Sequence, residues 1–344
     1  MSIPVFRSYI KRKDMDTVLS CLMTDSVGPG SYLERFQKNA REYFGIEFGF
    51  LVRSPLDGLA MALDALAVKA GDAVVISALA PRWYAAGLSA RGISVLFADV
   101  QPDSANPSAS DFAKATEADR PRVKALVLAG GCGIMPEAGS LEELGLPVIE
   151  DITRSLGATK AFIPASTSAT IGILGLEHGS LLISGGGAMV FAEGKREAAV
   201  LKNQAEAMMP ESRMTDYNAS LGLAQLRDLE KAIEKRRELR TLFLQALAGK
   251  KQHSFIQAGD LEAGCWSFPV VLESSVKDVV SYARKKDVET ELAFADSCIS
   301  NGLVPEGACP NARSLSMRTL LFPLHQRIGN AGAQKISRVL ATLP

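Results

Sequence analysis

The chain has few cysteines and does not pair them. Cys21, Cys132, Cys265, Cys298 and Cys309 are odd in number and irregularly spaced, with no Cys-x-x-Cys. That argues against a zinc site or a disulfide framework and fits a reducing compartment. Net charge is also lacking: 38 lysines and arginines face 38 aspartates and glutamates. A chain-wide electrostatic match to nucleic acid or an anionic membrane is therefore not expected, although a neutral total is compatible with a local patch. No window reaches the roughly 18 apolar residues of a membrane span. Met1 to Lys13 holds no long apolar run of the signal-peptide kind. The expectation is a cytoplasmic protein with neither nucleic acid nor membrane as partner. Tandem repeats and low-complexity linkers are missing as well.

What is present is core-forming sequence. Hydrophobic residues make up 47% of 344, enough for one large α/β domain and a smaller one. Phe48–Val52, Ala73–Ser77, Val95–Ala98, Ala125–Ala129 and Val148–Glu150 read as short buried strands. Helical patterns such as Leu56–Lys69 and Trp83–Arg91 lie between them. This alternation predicts a mainly parallel sheet with helices on both faces, binding ligands at the carboxyl ends of its strands. Gly222 to about Gly249 reads as one long helix bridging to a second domain. In that domain Trp266–Leu272 reads as a strand, with Val276–Lys286 and Asn330–Leu343 as helices. The predicted division is a large α/β domain over 1–235 and a small α+β domain over 236–344.

Several landmarks, in order along nearly the whole chain, carry a resemblance. They are Asp25-Ser26-Val27-Gly28-Pro29-Gly30 with Leu33-Glu34-Arg35-Phe36, Val148-Ile149-Glu150-Asp151, Ile171-Gly172 with Gly185-Gly186-Gly187-Ala188-Met189, Arg213-Met214-Thr215 with Leu221-Gly222-Leu223-Ala224-Gln225-Leu226, and Leu321-Phe322-Pro323-Leu324-His325. Together they are similar to the DegT-type sugar aminotransferases, which use pyridoxal phosphate. The resemblance implies the type I fold of pyridoxal-phosphate-dependent transferases: a three-layer αβα body with a mainly parallel sheet, plus a smaller C-terminal α+β domain. It also implies a homodimer with active sites at the subunit interface. In the family a lysine stands eight residues after the glycine of the Ile-Gly pair and forms a Schiff base with the cofactor. Here that position is Ser180, and a hydroxyl cannot form an imine.

The other cofactor contacts implied by the resemblance fare unevenly. Asp151 keeps the carboxylate expected on the ring nitrogen; a strand-end carboxylate that caps the next turn is the alternative. The phosphate cradle becomes Arg53-Ser54-Pro55-Leu56-Asp57. There Pro55 removes an N–H, Ser54 and Asp57 make a capping box, and the helix start satisfies its own donors. Asp57 adds a negative charge where a phosphate would sit, repelling it by ~1 kcal/mol at ~4 Å in water and by several-fold more when desolvated. The aromatic that lies on the cofactor ring aligns with Pro81. Trp83 and Tyr84 substitute only if the turn shifts; packing on the following helix is the favoured expectation. Arg154, Gly175 and Glu211 replace a glutamine or histidine, a serine, and an asparagine that crosses from the partner subunit.

Losses this dense point to a degenerate homologue that neither binds the cofactor covalently nor transaminates, so no cofactor is predicted. Arg53, Arg82 and Arg154 appear beside Asp57, Asp151 and Glu211. Internal pairing that fills the vacated pocket is favoured over a site for an anion such as a nucleotide-sugar. His178 is the one weak candidate for acid–base chemistry, its alternative being a surface or capping residue. Cys132 has no basic neighbour in sequence and reads as a packed side chain. Lys160 is a poor substitute for the Schiff-base residue. The expected roles are nucleotide-sugar or anion binding, or a noncatalytic part in polysaccharide biosynthesis, as a homodimer or as a heteromer with an active paralogue. The alternative is an active pyridoxal-phosphate-dependent aminotransferase of a nucleotide-linked keto-sugar.

Overall fold

Runs rich in valine, isoleucine and leucine form seven short strands. In the computed structural model, which describes residues 2–25, 27–117, 119–129, 131–135, 141–158, 169–257 and 262–344, these are β1 (Gly49–Val52), β2 (Ala73–Ser77), β3 (Ser94–Ala98), β4 (Val123–Ala129), β5 (Val148–Asp151), β6 (Ile171–Gly175) and β7 (Ala188–Ala192). They make one sheet in the order β1-β7-β6-β5-β4-β2-β3. Strands β2 to β6 pair in parallel, whereas β7 runs antiparallel to both β6 and β1. A sheet this parallel must be covered on both faces. One face buries Val74, Ile76, Val127 and Ile173 against Leu59, Leu63 and Tyr84 of the helices Pro55–Ala65 and Arg82–Ala90. The other buries Leu51, Leu174 and Phe191 against the helices Ser31–Phe44 and Asp216–Leu226, and Val75 and Leu126 against Phe112. The result is the three-layer type I fold expected.

A second, antiparallel sheet has the order β8-β10-β9, with β8 spanning Phe268–Val271, β9 Glu291–Leu292 and β10 Thr319–Phe322. It packs with the helices Leu229–Leu247, Val276–Lys285 and Asn330–Ala341 in a core of its own. The boundary expected after residue 235 falls inside the first of these helices.

The single helix expected from Gly222 to Gly249 is two: Asp216–Leu226 and Leu229–Leu247. The break has an electrostatic correlate. Asp228 bonds Lys11 Nζ at 2.7 Å and Lys13 Nζ at 2.8 Å, and these partners pull its carboxyl down to about 2. Contacts from an N-terminal helix are invisible to local periodicity. No helix among the described residues is long and apolar enough to cross a membrane.

Candidate functional site

Asp151 ends β5 at the carboxyl edge of the sheet and is 9% exposed. Both carboxylate oxygens are engaged. Oδ1 accepts from the Thr153 N–H at 2.9 Å, and Oδ2 accepts from the Tyr84 hydroxyl, also at 2.9 Å. Tyr84 is fully buried, and Trp83 stacks on it with centroids 3.8 Å apart and planes 26° apart. Burial first, and then the Asp151 charge, push the phenol well above its ordinary range, so it stays a donor. Thr153 continues the chain of contacts: its Oγ1 accepts from Gly175 N–H at 2.7 Å. A Cβ at Gly175 would stand 2.9 Å from that oxygen, which explains why the position holds no side chain.

The helix start behaves largely as its sequence predicts. Ser54 is the N-cap of Pro55–Ala65, and its Oγ accepts from the Asp57 N–H at 3.2 Å. The return contact differs from a full capping box: the Asp57 carboxylate accepts from the Ser54 hydroxyl at 2.7 Å instead of from its backbone. One side chain thus takes both ends of the other, and the cap turns inward.

The expected arginine–carboxylate pairs are not formed among the described residues. Arg82 is exposed and reaches outward to Asp296 at 2.9 Å and Asn301 at 3.3 Å. Arg154 lies over the Trp266 ring at 4.5 Å, and Trp266 packs on Phe6 at 5.0 Å. Arg53 is exposed, and its main-chain N–H donates to Ser212 at 2.9 Å. This brings the Arg53-Ser54 turn beside the short Pro210–Ser212 helical turn, on which Glu211 is exposed. Burial and the indole face outcompete simple charge matching here: a guanidinium keeps its hydration on a ring face more cheaply than inside a buried pair.

Ser180 is 5% exposed and closes a turn, its N–H donating to Glu177 at 3.1 Å. Gly179 holds a φ of +92° in that turn, and its carbonyl accepts from Trp266 Nε1 at 2.9 Å. Partial burial and then Asp151 raise the Glu177 carboxyl. His178 is exposed, with Nδ1 3.4 Å from Ser8 Oγ on the N-terminal segment; it reads as a surface residue here. Cys132 is buried, which pushes its thiol up to about 12. Lys160 lies outside the described residues. Within them, no group of three or more His, Cys, Asp or Glu could hold a metal.

Two features escaped sequence reasoning. The first is Tyr84, whose hydroxyl reaches Asp151 in addition to the expected helix packing. The second is the segment 294–299. Cys298 and Ile299 donate to the carbonyls of Ala80 and Ala78 at 2.9 and 3.1 Å, and Arg82 donates to Asp296 at 2.8 Å. This strap carries Phe294 to the end of β2. The cavity left there, lined by Leu79, Pro81, Ala105, Asp151, Arg154 and Phe294 among others, measures about 10 Å³, room for a single water. An aromatic two residues after a β-sheet pair has no local signal that could have revealed this contact.

Comparison with known proteins shows the family and the fold. The sequence model described as "DegT/DnrJ/EryC1/StrS aminotransferase family" matches residues 8–341. The chain is 21% identical to GDP-perosamine synthase of Vibrio cholerae over 351 residues, covering 96% of this chain and 92% of that protein. It is 31% identical to L-glutamine:2-deoxy-scyllo-inosose aminotransferase of Streptomyces fradiae over 172 residues, covering 47% and 39%. In fold it is similar to the aminotransferase TlmJ from Streptoalloteichus hindustanus, with a TM-score of 0.87 at 22% identity and 98% of each chain covered. It is also similar to DesV of S. venezuelae in complex with a ketimine intermediate, with a TM-score of 0.88 at 21% identity, covering 99% and 98%.

Proposed function

The chain belongs to the DegT/DnrJ/EryC1/StrS aminotransferase family, and from that premise we propose that it is a member that neither binds pyridoxal phosphate covalently nor transaminates. Its role on this reading is to bind a nucleotide-sugar or related anion, or to act as a noncatalytic partner in polysaccharide biosynthesis in the cytoplasm. The GDP-linked name of the Vibrio cholerae relative supports the nucleotide-sugar class.

The observation that carries the reading is the state of Asp151. When bound, the cofactor supplies an electron sink, and it needs that carboxylate on its ring nitrogen. Here Tyr84 and Thr153 each donate to one oxygen, and the adjoining cavity of about 10 Å³ is far smaller than a pyridine ring. The Ser54–Asp57 cap closes on itself where a phosphate needs free donors. Ser180 supplies no amine. As they stand, these residues do not fit the group, and no step is derived through it.

A second reading is supported by the retained Asp151 and by the relatives' names: an active aminotransferase of a nucleotide-linked keto-sugar. Incubation of the purified full chain with pyridoxal phosphate, followed by borohydride reduction and peptide mapping, separates the two. We expect no visible absorbance band from a lysine-bound cofactor and no reduced lysine adduct. A lysine adduct at this site would establish the second reading in place of the first.

We further propose assembly as a homodimer, or with a paralogue. It is supported by Met15, Leu19, Leu22 and Met23, which expose 49%, 55%, 41% and 84% of their surface along one side of the N-terminal helix.

A further inference from the structure

The helix Leu229–Leu247 carries three arginines close together, of which Arg237 and Arg240 line one groove, and they are not equally provided for. Arg236 is buried and donates to the carbonyls of Cys265 at 3.1 Å and Trp266 at 2.8 Å, and to Gln326 Oε1 at 3.3 and 3.4 Å. Arg237 donates to the Gly157 carbonyl at 2.8 Å and pairs with Glu262 at 3.1 Å. Arg240 has no hydrogen bond or ion pair with any described residue, although burial is sufficient to pull its guanidinium below the ordinary arginine range. In the same groove, Ser254 is 7% exposed, and its Oγ has no hydrogen-bond partner among the described residues. Both residues line the same opening of about 400 Å³.

Each of these groups alone is costly. A desolvated cation without a partner and a buried hydroxyl without a partner both lose hydration and gain nothing in exchange. Charge is also unbalanced: the two lining arginines (237 and 240) stand against one lining carboxylate, Glu262, a local surplus of one positive charge among the described residues. Of these two, Arg237 has carbonyl and carboxylate acceptors of its own. The guanidinium fork matches a planar or tetrahedral oxyanion bidentately, and a serine hydroxyl adds a donor.

We propose that this groove is an oxyanion site, taking a phosphate or carboxylate group on the Arg240 guanidinium and the Ser254 hydroxyl. It lies outside the Asp151 cavity, shares no lining residue with it, and does not depend on the function proposed above. The test is calorimetric titration of the full chain with inorganic phosphate and, separately, with glutarate, for wild type, Arg240→Gln, Arg240→Lys and Ser254→Ala. Saturable binding of one anion is expected, and which anion binds identifies the group. Arg240→Gln weakens it by about tenfold or more, as loss of a charged hydrogen-bond donor implies. Ser254→Ala weakens it less, and Arg240→Lys retains part of it. Should Arg240→Gln fail to fold, the lysine and alanine variants carry the same comparison. Absence of saturable binding by both anions, or affinities unchanged across the variants, overturns the proposal.

Discussion

Tyr84 donates to a carboxylate that has lost nearly all contact with water. Removing the hydroxyl leaves Asp151 Oδ2 without its partner while Trp83 and the backbone keep the ring in place. Tyr84→Phe is therefore expected to destabilise the fold by about 1–3 kcal/mol or more, since orphaning a buried acceptor costs that range and a charged one exceeds it. Chemical denaturation of the two proteins measures it, and a difference within error would show that water replaces the phenol at no cost. At this scale the sequence was legible where partners are three residues apart. Ser54, Pro55 and Asp57 announce a cap because the helix geometry brings them together. Asp151 was legible as a strand end, but its partner 67 residues away was not. Nor was the Arg154 contact with Trp266, since side-chain spacing says nothing of what lies across a sheet edge.

Strand β5 places neighbouring acids on opposite faces, because side chains alternate along a strand. Asp151 faces the helix Arg82–Ala90, whereas Glu150 points to the other side and is 4% exposed. Burial, then the charges of Asp151 and Glu193, raise the Glu150 carboxyl from 4.5 to about 8. A carboxyl with a raised folded-state pKa favours the fold while protonated. Its contribution is complete below the unfolded value and is lost as pH rises from about 4.5 to about 8. Glu150→Gln is thus expected to flatten that loss, gaining thermal stability over the wild type as pH rises through this window and little below it. Melting temperatures of both proteins from pH 4 to 9 decide it, and parallel curves would count against it. Element positions themselves were read well. The short apolar runs became strands within a residue or two, since a doubly covered parallel sheet requires continuous apolar sequence. The exceptions were β6 and β7, which were not expected as strands, the helix expected to reach Lys69, which ends at Ala65, and the 222–249 helix, divided where Asp228 meets Lys11 and Lys13.

For the molecule as a whole, the apolar side of the N-terminal helix sets the expectation. Leu19→Glu places a charge in the middle of Met15, Leu22 and Met23. Light scattering is expected to give the mass of two chains for the wild type and of one for this variant; a wild-type monomer at micromolar concentration would remove the proposed homodimer. The sequence by itself determined the layered α/β body, the first five strands of its large sheet, the self-closing helix cap and the serine at the position where the family has lysine. These follow from local periodicity, short-range geometry and residue identity, all written in consecutive residues. Only the tertiary structure decided that Tyr84 bonds Asp151, that the strap at 294–299 brings Phe294 to the end of β2, and that Arg82 and Arg154 turn to Asp296 and Trp266. Those outcomes depend on which long-range neighbours desolvate a charge and which satisfy it, and that competition is settled only when the chain has closed.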